Sequence, residues 1–150
     1  MLNVLFFFKY DGEYTCPTRF FMVMKQEINK RYRVKDGWEV VYANPLSFKK
    51  GELIRIDKQR SETNPEWHGW VWGSNSLSEG WFPDSFVNIQ SEDGQWRYSI
   101  AMRDYSGREV AVSIGEYVTL LEVVCGWAWV SHSESSESGW IPLSCLEKTA

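Results

Sequence analysis

The chain has 150 residues, a mass of 17.6 kDa, a formal net charge of −4, 43% hydrophobic and 24% charged residues. That composition excludes a disordered chain, and the length suits one average domain or two small ones. No apolar run approaches the roughly 18 residues of a membrane span, and the acidic excess after Ser61 argues against a nucleic-acid face, although Lys25 to Arg60 carries a basic excess.

Met1 to Lys30 opens with Leu5-Phe6-Phe7-Phe8 and contains Phe20-Phe21-Met22-Val23-Met24. Lys9 and Asp11 interrupt the first run, and no basic segment precedes it, so it makes a poor signal peptide and the expected location is cytoplasmic. Both runs are too apolar to stay exposed, which predicts an edge strand or hairpin. Cys16, Cys125 and Cys145 are odd in number and lack a C-x-x-C spacing, so neither a disulfide framework nor a zinc site is read from them.

The rest of the chain repeats itself. Gly51-Glu52 before Leu53-Ile54-Arg55-Ile56 corresponds to Gly115-Glu116 before Tyr117-Val118-Thr119-Leu120. Gly69-Trp70-Val71-Trp72 corresponds to Gly126-Trp127-Ala128-Trp129, and Gly80-Trp81-Phe82-Pro83 to Gly139-Trp140-Ile141-Pro142. The offsets range from 57 to 64 residues, so the loops differ while the strands persist. Each run is short, rich in β-branched and aromatic residues and bounded by Gly, Pro, Ser or Asn, which predicts strands. Gly73 to Glu79 and Ser131 to Ser138 read as hairpin turns. Four or five strands in about sixty residues must curl into a small barrel to bury a core.

At these residues the chain resembles the SH3 domain, twice. Leu46-Ser47-Phe48-Lys49-Lys50-Gly51-Glu52, Trp70-x-x-Gly73 and Gly80-Trp81-Phe82-Pro83-Asp84-Ser85-Phe86-Val87 are similar to successive family motifs, and Ala101-Met102-Arg103-Asp104-Tyr105 opens a second copy. Tyr42-Ala43-Asn44-Pro45-Leu46 and Gly69-Trp70-Val71-Trp72 look more like bacterial variant SH3 proteins than the eukaryotic signalling modules. The expected fold is all-β, two five-stranded SH3-like barrels in tandem. The expected layout is an N-terminal extension over 1–30, a first domain over 31–90, a linker over 91–97 and a second domain over 98–150.

SH3 domains bind extended, proline-rich peptides between aromatic ridges, beside an acidic RT loop that selects a basic flanking residue. The resemblance implies a groove in the first copy made by Trp38, Trp70, Pro83 and Phe86, with Asp36 and Glu39 as the acidic partners. Asp36 stands where the family has its first groove Tyr, and Phe86 lacks the phenol found there. In the second copy Tyr105, Trp127 and Pro142 match, Arg103 and Cys145 replace groove tyrosines, and Asp104 and Glu109 are the main acids. Trp72 and Trp129 follow the groove Trp by two residues, so they share its side of the strand; Trp81 and Trp140 border the groove.

Catalysis finds little support. His68 and His132 lie in loops without a nucleophile motif, and neither a phosphate-cradling Gly-rich loop nor a calcium pattern occurs. No cofactor or metal is expected. The leading reading is a non-catalytic interaction module for a protein or peptide partner, with no nucleic acid or membrane. The alternatives are a cell-wall peptide-binding SH3 relative and a small-barrel nucleic-acid binder with stacked aromatics.

Overall fold

A computed structural model describes residues 27–62 and 69–149, with two short strands before them. Those strands are β1 (Lys9–Tyr10) and β2 (Glu13–Tyr14), an antiparallel pair. Leu5 to Phe8, Phe20 to Met24, Trp67 and His68 lie outside the described residues.

The body of the chain is all-β. In chain order it contains β3 (Arg31–Val34), β4 (Ser47–Phe48), β5 (Leu53–Asp57), the single-turn helix α1 (Lys58–Ser61), β6 (Trp70–Ser74) and β7 (Glu79–Pro83). There follow β8 (Val87–Asp93), β9 (Trp96–Ala101), β10 (Tyr105–Ser106), β11 (Tyr117–Val124), β12 (Trp127–His132), β13 (Ser138–Pro142) and β14 (Leu146–Lys148). Single 3-10 turns, Asp84–Phe86 and Leu143–Cys145, follow β7 and β13, because Pro83 and Pro142 end ladder pairing.

Two antiparallel five-stranded sheets form, in the orders β7-β6-β5-β9-β8 and β13-β12-β11-β3-β14. The three hairpin strands, β7, β6 and β5 in one sheet and β13, β12 and β11 in the other, and the strand after each 3-10 turn, β8 and β14, occupy equivalent places in the two sheets. The fourth place is where they differ in chain order: β9 follows its sheet's other strands in sequence, whereas β3 precedes them. Two compact units result, a split unit of Met1–Tyr42 with Glu109–Ala150, and an inserted unit, Ala43–Arg108. These boundaries are not the contiguous 31–90 and 98–150 read from the repeats. Residues 91–97 also differ from a linker: they finish β8 and begin β9.

A two-residue turn explains the exchange. Asp93 pairs with Trp96, leaving Gly94 and Gln95 as the turn, and Gly94 takes the positive φ of 62° that its first central position requires. So short a connection makes β9 fold straight back on β8, and the opening strand of the second repeat completes the first repeat's sheet. The opening strand of the first repeat, β3, then pairs with β11 and β14.

Each unit buries its own alternating residues. In the split unit the core holds Tyr32, Val34, Val110, Val112, Val118, Leu120, Ala128, Val130, Ile141, Leu143 and Leu146. In the inserted unit Leu46, Phe48, Ile54, Ile56, Phe82 and Ala101 are buried. Complete burial of one such large side chain is worth about 1.5–3 kcal/mol. Ser99, fully buried among them, donates its hydroxyl to the Ile54 carbonyl oxygen at 2.8 Å, so no polar atom is stranded there.

Candidate functional site

In the split unit β3 delivers the chain to a long loop whose base is fixed by Lys35 and Asp36 donating backbone N–H groups to the Cys145 carbonyl, at 2.7 and 3.3 Å. Trp38 then bridges Val112 in antiparallel fashion. Its ring stands edge-on to Trp127, centroids 5.5 Å apart with an interplanar angle of 85°, the geometry the aromatic quadrupole favours. Trp127 is opposite Pro142 in the ladder, and Trp129 is opposite Trp140 with ring centroids 5.3 Å apart. Ala128 and Val130 point into the core, so Trp127 and Trp129 do share the outer face, as the period of two predicts.

Trp38, Trp127, Trp129 and Pro142 remain half-buried, and Asp36 and Glu39 are exposed beside them. Glu109 is only 8% exposed, and its carboxylate is committed internally. It accepts the Trp38 indole N–H at 2.8 Å and the backbone N–H groups of Val41 and Tyr42 at 3.3 and 3.1 Å. Cys145, at the place of a groove tyrosine, is buried, and desolvation, with the nearby Asp36 carboxylate second, pushes its thiol pKa up. It stays a neutral packing group.

The inserted unit treats its aromatics differently. Trp70, Pro83, Phe86 and Tyr105 are all buried. Tyr105 donates its hydroxyl to the Trp81 carbonyl at 2.8 Å and packs against Phe48 and Phe86, with centroids 5.3 and 5.7 Å away. The Arg103 guanidinium lies 3.9 Å above the Phe86 ring. Trp72 is buried too, with the Arg60 guanidinium 3.5 Å over it, Trp81 edge-on at 5.5 Å, and its indole N–H donated to Glu79 at 3.3 Å.

Helix α1 aims that arginine. Asp57 caps the helix by accepting the Arg60 N–H at 3.0 Å, and the Ser61 hydroxyl accepts the Trp72 backbone N–H at 2.8 Å. Cation–π stacking of this kind is worth about 0.5–2 kcal/mol, and the ring faces it covers are occupied by the chain itself.

The structure therefore regroups the residues expected in the first groove. Trp38, Asp36 and Glu39 belong to the split unit with Trp127 and Pro142; Trp70, Pro83 and Phe86 belong to the inserted unit with Tyr105, Trp72 and Trp81. Asp104 accepts the Lys50 backbone N–H at 2.9 Å. Sequence reasoning offered Glu109 as a partner for a basic ligand and missed that its oxygens are committed internally. It also missed Arg60 and Arg103 as ring covers, though Arg103 at a groove tyrosine's place was a signal.

His132 is a structural histidine: Nε2 faces Glu116 Oε1 at 3.1 Å, and Nδ1 accepts the Glu134 N–H at 3.1 Å. Among the described residues, no group of His, Cys, Asp or Glu could hold a metal ion, and no helix is long and apolar enough to cross a membrane.

Residues 31–90 match the family model described as variant SH3 domain. This stretch is similar in sequence to SH3 domains, a fold of protein-interaction modules that is typically non-catalytic. No curated protein and no solved structure matches the chain. The matched stretch contributes β3 and Trp38 to the split unit and β4 to β7 with the first part of β8 to the inserted unit.

Proposed function

We propose that the chain is a tandem pair of SH3-like barrels acting as a non-catalytic interaction module, and that the split unit takes an extended, proline-rich segment of a protein partner. Support comes above all from the contrast in exposure. Trp38, Trp127 and Pro142 keep accessible ring surface beside two exposed carboxylates, whereas the equivalent Tyr105, Trp70 and Pro83 of the inserted unit are buried, and arginines cover the neighbouring Phe86 and Trp72 rings. A polyproline II segment is already ordered, so shallow ring contacts suffice to hold it. Asp36 and Glu39 favour a ligand with a flanking Arg or Lys.

Calorimetric titration with a proline-rich peptide carrying one arginine tests this reading. Trp127→Ala should weaken binding at least tenfold in a protein that keeps its fold, and Asp36→Asn with Glu39→Gln should weaken it less and reduce its salt dependence. Equal affinity for the Trp127→Ala variant would remove the proposed face.

A further inference from the structure

Glu109 begins the second segment of the split unit, and Tyr42 ends the first. Three N–H donors converge on this one carboxylate: the Trp38 indole on Oε1, and the Val41 and Tyr42 backbones on Oε2. The carboxylate thus joins the two chain segments where the inserted unit departs and returns, and it holds the ring that faces Trp127. Glu109 itself forms a parallel bridge to Trp140, and the Val110 N–H donates to the Trp140 carbonyl at 3.4 Å, so its backbone is anchored to β13.

We infer that Glu109 is the positioning residue of the split unit: it closes the loop and sets the orientation of Trp38, and it is not a charge offered to a ligand. An ionised carboxylate has acceptors only, and here both oxygens meet donors. Hydrogen bonds to a charged group are the strong ones, and a half-buried ring held this way loses little further freedom on binding. A glutamine has the same shape, but its NH₂ would face an N–H donor whichever way the amide is turned. Charge and acceptor count, rather than volume, are what the site requires. The consequence for the ligand rests on the proposed peptide reading: the Trp38 indole N–H is already spent, so the partner meets that residue through its ring.

The test uses the full chain in two arms. In the first, amide and indole hydrogen exchange is followed by NMR in the unaltered protein and in Glu109→Gln. The Trp38 indole N–H should exchange at least tenfold more slowly than that of the half-buried Trp129 and lose this protection in Glu109→Gln, together with the Val41 and Tyr42 amides. Exchange of Trp38 as fast as Trp129 in the unaltered protein overturns the inference without any variant, as does a Glu109→Gln protein whose three signals stay protected. In the second arm, the same arginine-containing proline-rich peptide is titrated into both proteins, with about a tenfold loss expected for Glu109→Gln. If the unaltered protein fails to bind while the exchange pattern holds, the peptide reading falls and the positioning role stands.

Discussion

Trp38 and Val112 exchange two backbone hydrogen bonds, Trp38 N–H to the Val112 carbonyl at 2.9 Å and Val112 N–H to the Trp38 carbonyl at 3.0 Å, although they come from different sequence repeats. Tyr105 and Phe48, the corresponding residues, pair in the opposite sense of the exchange. Both loops are therefore built from one leg of each repeat.

Cysteine trapping reads this exchange directly. Leu53 is the ladder partner of Ile100, as Tyr117 is of Arg33. If each repeat kept its own opening strand, Leu53 would instead face Arg33. Under mild oxidation Leu53→Cys with Ile100→Cys should close a bond found by peptide mapping, since paired residues lie within disulfide reach, and Leu53→Cys with Arg33→Cys should not. The reverse pattern would refute the exchange.

The two cores solve one packing problem in complementary ways. The Phe82 ring lies over Gly73, which is opposite Gly80 in its ladder, whereas the corresponding positions of the split unit hold Val130, opposite Gly139, and the smaller Ile141. A Cβ added at Gly73 would lie 2.5 Å from Phe82 Cε1 and 3.1 Å from the Arg55 carbonyl oxygen. Gly73→Val should cost about 1–3 kcal/mol from overpacking, and Phe82→Ile a similar amount from the space it leaves. The double variant should be less destabilised than the two costs added, because each change relieves the other. Denaturant unfolding of the four proteins measures the coupling, and strict additivity would contradict it.

Acid sensitivity should trace in part to Glu116. Its carboxyl is held below the usual range, first by the Ser113 backbone N–H at 2.7 Å and then by His132. A depressed folded-state pKa adds stability that is present above the unfolded value of about 4.3 and fades as pH falls through the folded value. Glu116→Gln should be less stable near neutral pH and should lose less on acidification than the unaltered protein. Parallel melting-temperature profiles between pH 7 and 3 would show that the carboxylate contributes nothing.

Most of the strands were legible because alternation, Gly and Pro mark them locally. Trp70-Val71-Trp72 and Gly80-Trp81-Phe82-Pro83 become a hairpin for reasons contained within a dozen residues. Which opening strand each sheet takes was not legible in the same way. Arg31 to Val34 and Trp96 to Ala101 both bury alternate residues and are fit for either sheet, and the choice between them depends on a turn of two residues after Asp93. The signal was present in Gly94-Gln95, a turn pair with Gly at its first central position, but the repeat pattern favoured reading it as a boundary. For the site, residue types were readable and their grouping was not, since Trp38 meets Trp127 only through the exchange.

The most direct test of this grouping is an NMR titration of the labelled full chain with the arginine-containing proline-rich peptide, following all indole signals. Trp38 and Trp127 should shift together with one saturation curve while Trp70 and Trp72 stay still. Joint shifts of Trp38 and Trp70 with Trp127 unmoved, or no indole response at millimolar peptide, would contradict it.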